Sequence, residues 1–76
     1  MKTLREHRNE RLLSIRSLAE AAGCSSATVL RIELRRIMPT HRTMKCLAEA
    51  LGCEVGEVAE FQAALVYRSN AYRVPA

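Results

Sequence analysis

Ser14 to Glu33 reads SIRSLAEAAGCSSATVLRIE, and its punctuation describes two short helices joined by a tight turn. The hydroxyl of Ser14 can accept from the unpaired backbone amides two or three residues on, so it opens the first helix. Leu18, Ala19 and Ala22 recur at helical spacing and form its buried side. Gly23 ends it, because a residue without a Cβ enters the left-handed conformation cheaply. Ser25 then caps a second helix, expected from about Ser26 to Leu34. Val29 and Ile32 face its core, while Ser26, Ala27, Leu30, Arg31 and Arg35 project outward. An outward face that ends in arginines suits a nucleic-acid groove.

The chain has 76 residues, 49% of them apolar, which makes one domain with a core. So short a chain buries only about 60% of its unfolded surface, so dimerisation is an obvious source of further burial. No apolar run approaches the ~20 residues of a membrane span, and Met1 to Arg11 is charged where a signal peptide would be apolar. A cytoplasmic protein is expected, and a reducing compartment agrees with three cysteines that cannot all pair. Cys24 and Cys53 each follow a helix-ending glycine and are expected as core thiols. Cys46 falls off the stripe of Met44, Leu47, Ala48 and Leu51, which makes it partly exposed, with nothing nearby that would lower its pKa. His7 and His41 stand alone, without metal-ligand spacing, so neither a metal nor any other cofactor is expected. The chain contains no Asp, no catalytic triad and no phosphate-binding glycine loop, which argues against an enzyme.

Net charge is +4, but residues 1 to 45 carry ten Lys/Arg against four Glu, whereas residues 46 to 76 carry two against four. The basic two-thirds fits a phosphate-facing surface, since neutralised phosphates release counterions. Ten of the twelve basic residues are arginine, whose planar guanidinium can grip guanine O6 and N7, or a phosphate, with two parallel bonds.

The stretch from Ser14 to Glu33 resembles the Cro/C1-type, or XRE-family, DNA-binding proteins of phage repressors and small bacterial regulators. The likeness extends to LREHRNERLLS (Leu4 to Ser14), matching a first helix, and to PTHRTMKCLAEALGCEVGEV (Pro39 to Val58), matching helices four and five. It implies an all-α fold, a compact five-helix bundle with a helix-turn-helix, as in lambda repressor-like DNA-binding domains. It also implies base contacts from Ser26, Ala27 and Arg31. Arg31 would carry most of the readout, because a serine and an alanine methyl specify weakly. Ile15 stands where the family often has glutamine, and it either meets a thymine methyl or packs inward. Both histidines replace usual leucines and are expected half-buried. Arg35 and Leu12 replace glycines that commonly end helices three and one. Glu33 is expected to pair structurally with Arg8.

Helix starts offer free amides and a positive dipole end to phosphates. Backbone contacts are therefore expected from Arg16, from Ser25 and Thr28, and from Thr40, His41, Arg42 and Thr43, with Arg35 and Arg36 clamping the backbone or reaching a minor groove. Leu30 and Leu34 are apolar where relatives are polar, and touch either DNA sugars or another protein. From Glu54 a last helix is expected to carry Val55, Val58, Ala59, Gln62, Leu65 and Val66 along one stripe. Surplus apolar surface at Phe61, Gln62, Leu65, Val66 and Tyr67 makes a twofold dimer face, or else folds back on its own domain. The domain would span residues 1 to 68, with 69 to 76 a tail or an arm onto the second subunit.

Two functions follow. One is a dimeric, sequence-specific transcriptional regulator on double-stranded DNA, either repressor or activator, since the family includes both kinds. The other is an antitoxin-like module that binds a protein partner, such as a toxin, with DNA binding secondary; RNA polymerase is a further candidate partner.

Overall fold

A computed structural model describes residues 1–71 of the chain, which from Leu4 onward form helices and the turns and loops between them. Helix α1 spans Leu4–Glu10, α2 Ile15–Ala22, α3 Ser26–Glu33, α4 His41–Leu51 and α5 Ala59–Ala71, with one 3-10 turn at Val55–Glu57. Residues 72 to 76, the outer part of the expected tail or arm, lie outside the described residues. Helix α5 itself runs three residues past the boundary expected at 68.

One device ends the first four helices. In each, a residue with positive φ turns the chain, and the next amide donates back to a carbonyl five residues earlier. Leu13 N bonds Arg8 O at 3.1 Å, Cys24 N bonds Ala19 O at 3.0 Å, Arg36 N bonds Arg31 O at 2.8 Å and Cys53 N bonds Ala48 O at 3.0 Å. Gly23 and Gly52 make two of these turns, at φ 74° and 69°; Leu12 and Arg35 make the others, at φ 54° and 56°. Both loops thus keep the left-handed turn although neither has a glycine. Leu13, Cys24 and Cys53, which follow three of the turns, pack against the core as apolar plugs. Burial pushes the thiols of Cys24 and Cys53 above their ordinary value, which keeps them protonated at neutral pH.

A Cβ in the left-handed region costs about 1–2 kcal/mol, partly offset by the greater freedom that glycine loses on folding. Leu12 is 93% exposed, so it has no packing to lose. Leu12→Gly is therefore expected to stabilise the domain by about 0.5–1 kcal/mol in a urea titration. A destabilised variant would mean that the leucine makes a contact the fold does not show.

The core joins Leu4 of α1, Leu18 and Ala19 of α2, Val29 and Ile32 of α3, and Met44, Leu47, Ala48 and Leu51 of α4 to Val58, Phe61 and Ala64. Helix α2 packs against both α3 and α4. Two expectations change at the C-terminal end. There is no continuous helix from Glu54: Glu54 opens the 3-10 turn, and Val58 is extended at φ −105°, ψ 125°. The Ala59 amide then bonds Lys2 O at 2.9 Å, so a tertiary partner replaces the local one. With α5 starting at Ala59, its buried side is Phe61 and Ala64, with Leu65 partly covered, while Gln62 and Val66 point to solvent. Phe61 is fully buried in its own domain and is withdrawn from the expected dimer face.

Two polar ties hold this end in place. The carboxylate of Glu60, itself buried, accepts from Leu4 N at 2.9 Å and so caps α1 from a distance of 56 residues. Arg68 donates through Nε and Nη2 to Pro39 O at 3.2 and 2.9 Å, fastening α5 to the loop after α3.

Candidate nucleic-acid interface

Three helix starts share one construction. Ser14 accepts from Ser17 N at 3.0 Å, Ser25 from Thr28 N at 3.1 Å and Thr40 from Thr43 N at 3.2 Å. Each cap hydroxyl also meets the hydroxyl three residues on: Ser14–Ser17 at 2.9 Å, Ser25–Thr28 at 2.8 Å and Thr40–Thr43 at 3.0 Å. The caps satisfy one amide per helix and leave the first amides of α2, α3 and α4 for an anion. Where the cap donates, as Ser14 and Thr40 do, the second hydroxyl keeps its own proton for an external acceptor. Ser17 was not anticipated as part of this set; the recurring Ser/Thr-x-x-Ser/Thr spacing is the signal that could have found it.

The fold divides the cations into tied and untied ones. Arg8 forms a two-pronged pair with Glu33, Nε to Oε2 at 2.8 Å and Nη2 to Oε1 at 3.2 Å, and also donates through Nη1 to Leu13 O at 2.8 Å. Lys2 pairs with Glu10, Arg16 reaches Glu20 at 3.4 Å, and Arg11 donates to His7 O at 2.9 Å. By contrast, Arg5, Arg31, Arg35, Arg36, Arg42 and Lys45 form no ion pair among the described residues, and all are exposed. Four of them, Arg31, Arg35, Arg36 and Arg42, lie between the middle of α3 and the first turn of α4.

Ser26, Ala27, Leu30 and Arg31 are exposed on α3, opposite the buried Val29 and Ile32. Ile15 is partly exposed and packs against the core. It lines a cleft of about 280 Å³ together with Arg5, Arg8, Leu30, Glu33 and Leu34. Arg16 stands in the first turn of α2, exposed, with Glu20 3.4 Å away in a solvent-exposed pair of the kind that contributes little.

The two histidines separate. His7 is buried, and its Nε2 lies 2.9 Å from Glu57 O, an arrangement that calls for the proton on Nε2. His41, expected half-buried, is exposed, because as the first residue of α4 it lies outside the helix's packed stripe. No group of three or more His, Cys, Asp or Glu that could hold a metal ion occurs among the described residues. No helix among them is long and apolar enough to cross a membrane.

Val66 and Tyr67 are exposed on α5, as are Gln62 and Ala63. Ala63 also lines a cleft with Ile37, Met38 and Pro39, so the outer side of α5 continues onto the loop after α3.

A family profile described as a helix-turn-helix domain matches residues 2–61, from the segment before α1 into α5. No curated protein and no solved structure matches the chain.

Proposed function

This chain belongs to the helix-turn-helix domain family, and we propose that within it the protein is a Cro/C1-type, sequence-specific transcriptional regulator that works in the cytoplasm as a homodimer. The observation that carries this reading is the group of unpaired arginines beside the exposed face of α3. Arginines held only by solvent keep their full charge and donors for phosphate and guanine. Helix α3 enters the major groove with Arg31 as the main base-reading residue, assisted by Ser26 and Ala27. Arg35, Arg36, Arg42 and His41, with the hydroxyls and amides at the helix starts, hold the phosphates. Ile15 supports α3 from behind.

The dimer forms through Gln62, Val66 and Tyr67 on α5, with Leu65 at the edge. A twofold pair places two α3 helices about 34 Å apart, so the operator is an inverted repeat. A second reading, an antitoxin-like module whose apolar α5 face grips a protein partner, is favoured by the exposed Val66 and Tyr67 on α5 and the exposed Ile37 and Met38 of the loop after α3.

The test is selection from a randomised duplex library at ~150 mM salt, where generic phosphate binding fades and base readout survives. Enrichment of an inverted repeat is expected; failure to enrich any sequence shifts the weight to the protein partner. On the selected site, Arg31→Ala should weaken binding by about 1–3 kcal/mol and relax the preference at one base pair per half-site. Arg42→Ala should weaken all sequences alike. Unchanged preference in Arg31→Ala would move the reading role to another residue.

A further inference from the structure

The outward face of α3 carries more than arginine. Ala27, Leu30 and Leu34 follow at i, i+3 and i+7, the spacing of one helix side. Leu30 is 44% exposed and Leu34 54% exposed. Ala27 is exposed too, and Arg31 stands one turn beyond it, next to Leu30. The apolar strip therefore does not run apart from the reading residue but alongside it.

What surrounds the strip selects its occupant. Arg5, on the cleft side, and Arg31, next to Leu30 on α3, border it without an ion pair among the described residues, and the acidic group on its cleft side, Glu33, is engaged by Arg8. Unpaired cations around an apolar strip call for a polyanion that itself offers apolar groups. Duplex DNA is such a polyanion. Its major groove presents the 5-methyl group of a pyrimidine, and no other base substituent there is apolar.

Resting on the DNA-binding reading above, we propose that Leu30 and Ala27 read a pyrimidine 5-methyl group next to the guanine held by Arg31. Thymine and 5-methylcytosine present the same methyl at the same place, so the chemistry recognised is the methyl itself.

The experiment uses the full chain and two randomised duplex pools, one unmodified and one with its cytosines 5-methylated. Enrichment in the unmodified pool identifies thymine as the source, and enrichment confined to the methylated pool identifies 5-methylcytosine. The methyl is then removed from the selected site, by uracil for thymine or cytosine for 5-methylcytosine. Binding should weaken about fourfold per methyl removed, the value of one buried methyl-sized group. In Leu30→Ala the ratio between methylated and demethylated sites should fall to near one, with the melting temperature unchanged because the side chain is exposed. Arg31→Ala should bind more weakly yet retain the ratio. A selected site indifferent to the methyl overturns this inference and leaves the DNA reading standing. A ratio that survives Leu30→Ala overturns the assignment to Leu30. Failure to enrich from either pool overturns the DNA reading itself.

Discussion

Phe61→Ala is expected to destabilise the domain by about 3–5 kcal/mol, the range for emptying the site of a fully buried aromatic ring. The ring is entirely covered and forms part of the hydrophobic core. A chain of this size holds about 4–11 kcal/mol in total, so much of its stability is at stake. Chemical denaturation followed by helicity measures the loss directly. The contrast with its neighbours on α5 is as informative as the size. Tyr67→Ala and Val66→Ala touch exposed side chains and should leave the unfolding of the monomer within about 0.5 kcal/mol. Their effect should fall on the association constant, read by sedimentation. A Phe61→Ala protein that melted normally but lost its dimer would return Phe61 to the interface and contradict the packing of α5.

Glu33→Ala should cost about 3 kcal/mol, because it leaves the Arg8 guanidinium inside the protein without its carboxylate. The two side chains are 11% and 6% exposed, and the pair is two-pronged. For a domain of this length the loss corresponds to a fall of roughly 12–24 °C in Tm. The replacement of both partners is the sharper test. Arg8→Met with Glu33→Leu removes the buried charges together and should recover most of the stability, since a buried pair contributes little beyond what well-packed apolar groups supply. Recovery of stability need not restore DNA affinity. Arg8 also holds Leu13 O, so this one side chain ties α1, the turn before α2 and α3 into a single unit. If Glu33→Ala melted like the parent, the pair would be a surface contact of no energetic consequence.

The caps, stops and periodic faces of the chain are legible in its sequence because their physics is local. Ser14, Ser25 and Thr40 act as caps through bonds that reach three residues, and Gly23 and Gly52 stop their helices through their own backbone freedom. The periodic positions Leu18, Val29, Ile32, Met44 and Leu47 are all buried, because each element's packed side is written in its own spacing. At α3 the helical spacing alone puts Ser26, Ala27 and Arg31 on the outward side, and all three are exposed.

Other features are set by a distant part of the chain. The start of α5 depends on Lys2 O and on Glu60 meeting Leu4 N, contacts more than 50 residues apart, so the stripe drawn from Val55 pointed Phe61 the wrong way. The two histidines looked alike in sequence, but only His7 lies against a second element, the 3-10 turn that carries Glu57. Arg8 and Arg68 are indistinguishable by composition from Arg31, Arg35 and Arg42 until the fold brings them to Glu33 and Pro39. The sequence by itself thus determined where helices α2, α3 and α4 begin and end, to within a residue, and which side of each is apolar, because capping and periodicity act within one or two turns. Only the tertiary structure decided which way α5 faces and which cations remain free to bind, because burial and pairing depend on what the rest of the chain places opposite each side chain.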